Sequence, residues 1–108
     1  MLYNYRHLYY FWVVAKEGSM SKAAERLNMA IQTISAQVHE LEKSLGYLLF
    51  KPAGRGITLT ESGFAALEIA DQIFLLGEKL PEAVRAAASS PKTKITIGIS
   101  DGLSKLVT

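Results

Sequence analysis

Hydrophobic positions between residues 19 and 45 predict two short helices joined by a tight turn. In the first helix, Ala23, Ala24 and Leu27 recur at helical spacing. Asn28 then interrupts the pattern, and asparagine tolerates the left-handed conformation that ends a helix. The apolar residues of the second helix are spaced three and four apart: Ile31, Ile34, Val38, Leu41 and Leu45. Two helices joined by so short a turn predict a helix-turn-helix.

The second of these helices carries uncharged polar side chains opposite its apolar face. They are Gln32, Thr33, Ser35, Gln37 and His39. In a helix-turn-helix the second helix lies in the DNA major groove, where glutamine can bond adenine at two atoms and a hydroxyl can meet a base or a phosphate. The same pattern also fits an amphipathic helical hairpin that does not touch DNA, so both interpretations stay open at this point.

An aromatic helix is predicted over residues 5–17. Its apolar stripe contains Leu8, Phe11, Trp12 and Ala15. Gly18 is suited to end this helix, and Ser19 or Ser21 is placed to cap the next one. Aromatic residues at helical spacing are typical of a core rather than of base stacking, so we expect Phe11 and Trp12 to pack under the helix-turn-helix.

Two short strands, at residues 48–51 and 57–59, are predicted around a turn at 52–56. Glycine and proline concentrate in that turn, which is typical of a hairpin and here predicts a wing. Arg55 lies between two glycines and could enter a narrow minor groove, although a solvated loop arginine fits as well. The loop lacks the lysine and the following helix of a phosphate-binding P-loop.

A long helix follows, with Thr60 as its cap. Phe64, Leu67 and Phe74 form a stripe that we expect to dock on the winged domain. A heptad seam runs along the same helix through Ala66, Ile69, Ile73, Leu76, Leu80, Ala83 and Ala87. One helix with two apolar stripes implies a partner helix, and we therefore predict a homodimer.

Pro81 interrupts this long helical pattern. A proline inside a helix removes a hydrogen bond and clashes with the preceding turn, so the helix either kinks here or ends and restarts. Beyond it, residues 89–94 are polar and predict a linker, and residues 94–100 alternate as a strand. A single strand is not stable alone, so this segment predicts the start of a second domain.

Composition and charge narrow the classes of function. The 108 residues contain no cysteine, which excludes a disulfide framework and a thiolate metal site, and 49% are hydrophobic, as expected for a packed core. Residues 1–60 carry seven Lys and Arg against four Glu, a net charge of +3, which is a weak electrostatic indication of DNA binding. No signal or membrane-spanning stretch is visible, so we expect a soluble cytoplasmic protein.

No catalytic constellation is visible in the sequence. It has no paired carboxylates in a cleft-forming pattern and no Ser-His-Asp arrangement, and His7 has no second histidine or acidic cluster at metal-ligand spacing. We therefore predict no enzyme, no cofactor and no metal.

Several motifs resemble the N-terminal domain of the LysR-type transcriptional regulators. They are the aromatic first helix ending in Glu-Gly-Ser, Ser-x-Ala-Ala-Glu-x-Leu from Ser21, the run from Ile34 to Glu42, Leu-Phe-Lys from Leu49, and Leu-Thr-Glu-Ser-Gly from Leu59. Together they extend over residues 4–100. Segments 4–12, 32–34 and 54–56 resemble more narrowly members that activate a sodium/proton antiporter gene.

The resemblance implies a mainly α fold, a winged helix-turn-helix followed by a long dimerisation (linker) helix. It implies a DNA-binding domain at 1–60, the linker helix at 61–88, and at 89–108 a hinge and the first strand of a truncated effector-binding domain. It also implies double-stranded DNA as partner, a homodimer, a tetramer for the full-length protein, and a small-molecule or ion effector bound only by the C-terminal domain.

Functional residues follow from the same resemblance. Gln32, Thr33 and Ala36 would read bases, Ser35 would contact a phosphate, and Arg55 would enter the minor groove. The whole predicted DNA-binding set is Ser21, Gln32, Thr33, Ser35, Ala36, Gln37, His39, Lys51 and Arg55, and the dimerisation set is Ile69, Ile73, Leu76, Leu80 and Ala83.

Two positions depart from the family pattern. Ala30-Ile31-Gln32-Thr33 replaces the common Ser-Gln-Pro-Ala, so α-helical capping by a hydroxyl is lost at a cost of about 1 kcal/mol. Ala36 lies where many relatives carry a base-reading arginine.

From the motifs and the resemblance together, we predict a sequence-specific DNA-binding transcription regulator. The narrower resemblance predicts an activator that controls an ion-stress or antiporter gene. The alternative is a helical interaction or dimerisation module that does not bind DNA.

Overall fold

The computed structural model describes residues 3–89, which form five helices and one small sheet. The elements in chain order are α1 (Tyr5–Glu17), α2 (Met20–Leu27), α3 (Ile31–Leu45), β1 (Phe50–Ala53), β2 (Gly56–Leu59), α4 (Glu61–Gly77) and α5 (Leu80–Ser89). The predicted winged helix-turn-helix is confirmed. The chain divides into two compact units, one up to Phe74 and one from Leu75.

Local capping signals set the ends of the first three helices. Gly18 ends α1 and Gly46 ends α3, both with a left-handed backbone, at φ of 80° and 83°. Asn28 ends α2 at φ 55° and is the only residue other than glycine with a positive φ in the described part of the chain. Ser19, rather than Ser21, caps α2, because its Oγ accepts the Lys22 N–H at 2.9 Å.

The core lies where α1, α2 and α3 meet. Phe11 is fully buried and its ring lies 5.3 Å from that of Phe50, so the first helix also supports the wing. Trp12 is buried as well and packs on Phe74 of α4 at a ring distance of 5.1 Å. The expectation that both aromatic residues are core is confirmed. The fully buried side chains with the largest volumes are Phe11, Ile34, Leu41, Leu49, Val13, Val14 and Val38.

One face of α4 packs on this core, but it begins one residue earlier than predicted. Gly63 and Ala70 are buried and Leu67 and Phe74 are partly buried, which is the i, i+4, i+7, i+11 spacing of a single helix face. Phe64 lies beside this face and is 60% exposed, so its predicted docking is wrong.

The hairpin is longer and its turn is shorter than predicted. β1 pairs antiparallel with β2 from Phe50 opposite Leu59 to Ala53 opposite Gly56, which leaves only Gly54 and Arg55 in the turn. Gly54 has φ 58°, as the first central residue of a II′ turn requires. The predicted turn at 52–56 is therefore wrong, since Pro52 belongs to β1. A proline is tolerated there because β1 pairs with one strand only among residues 3–89.

The helical segment containing Pro81 ends and restarts. α4 stops at Gly77, and α5 begins at Leu80, with the Ala83 N–H donating to the Lys79 carbonyl at 3.0 Å. Pro81 falls in the first turn of α5, where its missing N–H would have no partner within the helix. The predicted strand at 94–100, and the predicted linker beyond Ser89, lie outside the described residues. Among residues 3–89, no helix has both the length and the apolar character to cross a membrane.

Candidate nucleic-acid interface

An exposed row of side chains runs along the outer face of α3. Gln32, Ala36 and His39 are spaced four and three residues apart, so they lie above one another on the helix, opposite the buried Ile34 and Val38. The apolar side of the helix is thus packed in the core, while this row is exposed and can contact a partner.

Two grooves flank the exposed row. The first runs between α3 and the start of α2 and is lined by Met20, Ile31, Gln32, Ser35, Ala36 and His39. The second runs between α3 and the hairpin; Ser35 and His39 lie on one wall and Lys51 and Pro52 on the other. The fold therefore brings together five predicted site residues that are up to nineteen positions apart in the sequence.

Arg55 occupies the tip of the hairpin. Its side chain is exposed, and it is one of the two residues of the tight turn. Within residues 3–89 neither Arg55 nor Lys51 takes part in an ion pair, so both positive charges are available to an anionic ligand.

The remaining predicted site residues lie elsewhere. Ser21 is exposed on α2, next to Met20 of the first groove. Thr33 and Gln37 share a separate row of α3 and line neither groove. Gln37 is half-buried, and its Oε1 is enclosed without a hydrogen-bond partner in the described part of the chain.

The start of α3 lacks a side-chain cap, as its sequence predicts. Ala30 is the N-cap residue and has only a methyl group, so no side-chain oxygen bonds the first free amides of the helix. The helix begins through its backbone alone, with the Thr33 and Ile34 N–H groups donating to the Ala30 carbonyl at 3.1 Å.

Glu42 joins the site to the wing and was not predicted from the sequence. Its carboxylate is buried at the end of α3 and accepts the backbone N–H of Leu49 at 2.8 Å and of Phe50 at 3.3 Å. Its other oxygen lies 3.0 Å from Nδ1 of His39. The sequence feature that could have revealed this role is a glutamate directly beside the apolar stripe of α3. A carboxylate buried at such a position needs hydrogen-bond partners.

These bonds also explain where β1 begins. The Leu49 amide is taken by Glu42 and the Leu49 side chain is buried, so Leu48 and Leu49 form an anchoring segment rather than the predicted strand residues. The described residues include no group of three histidine, cysteine, aspartate or glutamate side chains placed to hold a metal ion.

The known proteins described below, to which this chain is similar, are bacterial transcription regulators. A family model described as "Bacterial regulatory helix-turn-helix protein, lysR family" matches residues 5–64. The chain is 42% identical over 102 residues to the transcriptional activator protein NhaR of Escherichia coli (strain K12), a match that covers 94% of this chain and 34% of NhaR. It is 38% identical over 95 residues to the HTH-type transcriptional regulator TfdS of Cupriavidus pinatubonensis, covering 88% of this chain and 32% of TfdS.

Solved structures of DNA complexes are also similar to this chain in fold. The crystal structure of a CbnR DBD–DNA complex matches with a TM-score of 0.71 and 41% identity, covering 80% of this chain and 99% of that one. A BenM DBD/catB site 1 DNA complex matches with a TM-score of 0.75 and 30% identity, covering 82% and 98%. The chain spans about a third of the length of the curated relatives that it matches.

Proposed function

Because the chain belongs to the LysR family of bacterial regulatory helix-turn-helix proteins, we propose that it binds a specific sequence of double-stranded DNA and regulates transcription. The observation that carries this proposal is the exposed outer row of α3, which contains no Lys, Arg, Asp or Glu, beside two hairpin cations that form no ion pair within residues 3–89. Uncharged polar groups discriminate between bases, whereas cations supply the attraction to phosphate.

Six side chains of the interface have the following chemical roles in this proposal. Gln32 can donate to and accept from one adenine, and the methyl group of Ala36 can contact that of thymine. Lys51 neutralises a phosphate, and Arg55 enters a narrow minor groove beside the major groove that holds α3. Ser21 and Ser35 are hydroxyl donors suited to phosphate oxygens.

We assign residues 1–60 to DNA binding and residues 61–88 to dimerisation. Each compact unit leaves apolar side chains exposed, among them Ile69 in the first and Leu76 and Leu80 in the second. A second copy of the chain would cover such residues and would double the contacts to DNA. Ile73 was predicted to belong to the dimer interface, but it is partly buried against the core of its own chain. It therefore offers less exposed surface to a partner helix than Ile69 or Leu76 does.

Further features of the whole protein belong to the same proposal. A tetramer and a C-terminal effector domain are implied by the family resemblance, and activation is suggested by the transcriptional activator NhaR. Control of an ion-stress or antiporter gene stays a prediction from the sequence.

The proposal is tested by selecting DNA from a pool of random duplexes at low and at moderate salt. We expect an enriched inverted repeat whose affinity falls steeply with salt, because counterions are released from the phosphates that the protein neutralises. A folded dimer that binds no duplex at low salt would contradict the proposal and would favour the interaction module instead.

A further inference from the structure

Glu42 holds His39 by one ring nitrogen only. Its Oε2 accepts the Leu49 and Phe50 amides, which leaves Oε1 for Nδ1 of His39 at 3.0 Å. The carboxylate is buried, whereas the His39 side chain is 73% exposed on the outer row of α3. One end of the imidazole is therefore fixed by the protein and the other end is free for a ligand.

This arrangement fixes the tautomer of the neutral ring. A carboxylate accepts hydrogen bonds and cannot donate them, so the proton of a neutral His39 must lie on Nδ1. The exposed Nε2 then has a lone pair and no hydrogen. His39 consequently offers an acceptor to its surroundings, although the same ring with the other tautomer would offer a donor.

An acceptor in the major groove selects for particular bases. Adenine N6 and cytosine N4 are amino donors there, whereas guanine and thymine present only acceptors, at N7 and O6 and at O4; adenine also has an acceptor, N7, and cytosine has none. Phosphate oxygens also accept, so a neutral His39 in this tautomer is not suited to contact the backbone.

We infer that Glu42 is a positioning residue that holds His39 as a hydrogen-bond acceptor, and that His39 selects adenine or cytosine at one position of the bound DNA. The inference rests on the proposed function. His39 lies seven residues beyond Gln32 on the same row, about 10 Å along the helix, so the selected base should be about three base-pair steps from the one that Gln32 reads.

Glu42→Gln provides a direct test, because it reverses the tautomer with little change in shape. The glutamine carbonyl can still accept the Leu49 and Phe50 amides, while its NH₂ group donates to Nδ1 and forces the proton onto Nε2. With His39 now a donor, cytosine, which presents only its N4 donor, should become disfavoured at that one position, and guanine and thymine should be accepted there, while adenine can still be bound through N7. We expect a change of about three- to tenfold in relative affinity, the range of one neutral hydrogen bond.

The measurement is selection from random duplexes at about pH 8, where imidazole side chains are largely neutral. His39→Gln is the matched variant: its side chain can both donate and accept, so the preference at this position should disappear while the others persist. In the double variant His39→Ala with Glu42→Gln, the glutamine should have no effect on base preference. A shift that persists without His39 would overturn the inference.

Nitrogen NMR of the imidazole ring gives a readout that does not depend on DNA. We expect the native protein to carry the proton on Nδ1 and Glu42→Gln to carry it on Nε2. If Glu42→Gln does not fold, the native tautomer and His39→Gln decide alone; a proton on Nε2, or an unchanged preference in His39→Gln, would overturn the inference. Failure of the native protein to enrich any sequence would instead contradict the proposed function.

Discussion

Gly63 lies where α4 closely approaches Leu49, in the segment before the hairpin. A Cβ atom at this position would meet the Leu49 carbonyl oxygen at 2.1 Å and Cδ2 of Leu59 at 2.9 Å. That carbonyl cannot easily move away, because it already accepts the Thr60 N–H at 3.0 Å. The absence of a side chain at Gly63 is thus a condition for the docking of α4.

Gly63→Ala should lower the free energy of unfolding by about 1–3 kcal/mol through overpacking. Gly77→Ala is the matched control, since a Cβ there would meet nothing within 4 Å. In the control we expect no loss, or a gain of up to about 1 kcal/mol from helix propensity. Urea unfolding of both variants makes the comparison, and equal effects would show that the contact at Gly63 relaxes freely.

Gln32 is the residue whose replacement should change base preference most directly. Gln32→Ala should cost about 1–3 kcal/mol of binding free energy on the preferred site and relax selection at one base pair. Gln37→Ala on the same helix should leave base preference unchanged, because Gln37 is half-buried and lines neither groove. Selection from random duplexes measures both. An equal loss on all sequences would make Gln32 a phosphate contact.

At the scale of elements, one charged cluster ties α1 to α4. The Trp12 Nε1–H donates to Oδ1 of Asp71 at 2.7 Å, and Nζ of Lys16 lies 3.0 Å from the same oxygen. These two hydrogen bonds, that of Trp12 first, lower the pKa of Asp71 below its ordinary value of 3.8.

The lowered pKa predicts how stability depends on pH. A depressed carboxyl pKa stabilises the fold above the pKa of the unfolded chain, and this contribution is lost as the pH falls through the folded pKa. Asp71→Asn should therefore be less stable than the native protein at neutral pH, and the difference should shrink as the solution becomes more acidic than the ordinary carboxyl range. Glu68→Gln, an exposed carboxylate on the same helix, serves as the control. Unfolding measured across pH would contradict the assignment if the two variants behaved alike.

The hairpin turn allows a second test at this scale. Arg55→Ala should weaken binding most on sites with A/T-rich flanks, where the minor groove is narrow and most negative. Arg55→Lys keeps the charge but has a more strongly hydrated head group, so it should retain general attraction and lose part of the flank preference. Affinities for matched A/T-rich and G/C-rich flanks decide; the absence of any flank dependence would exclude the minor-groove role.

Elements governed by neighbouring residues were predictable, and those decided by distant contacts were not. The ends of α1, α2 and α3 follow from Gly18, Asn28 and Gly46, whose backbone preferences act locally. The start of β1 depends instead on a bond from Glu42 to the Leu49 amide, seven residues away. Phe64 was misplaced because helical spacing alone does not tell which of two adjacent stripes meets the core.

The candidate site divides in the same way. The exposed face of α3 follows from its 3.6-residue pattern as far as Gln32 and His39 are concerned. Ala36 came only from the family resemblance, and Thr33 and Gln37 lie on a separate row. The contribution of Lys51 to the groove beside α3 depends on how the hairpin folds back. The role of Glu42 depends on the backbone amides of Leu49 and Phe50. The local sequence pattern does not predict that these two residues lie beside Glu42.

At the scale of the whole molecule, α4 leaves apolar side chains exposed that the rest of residues 3–89 does not cover. Ile69 is 53% exposed and Leu76 is 69% exposed. Seven residues separate them along this one helix, which is the heptad repeat expected of a helix that packs on another helix.

Leu76→Asp should therefore disrupt the proposed dimer, because it places a charge where an apolar contact would be desolvated. The exposed position predicts an unchanged helical circular dichroism signal, so loss of folding would not explain the result. Mass in solution, measured by sedimentation, should fall to that of one chain, and the affinity for an inverted repeat should fall with it. An unchanged mass would remove Leu76 from the interface.

Pro52 has a consequence for how copies of the protein behave at high concentration. Each strand of a two-stranded sheet has one open edge, and such an edge is a template for aggregation with other chains. Opposite residues in an antiparallel pair alternate between bonded and non-bonded, and a proline suits the non-bonded pair, where its nitrogen lies on the outer edge. An incoming strand would find no N–H at Pro52, so the β1 edge of the hairpin is a poor template for intermolecular β-sheet growth, and the hairpin keeps its exposed cations.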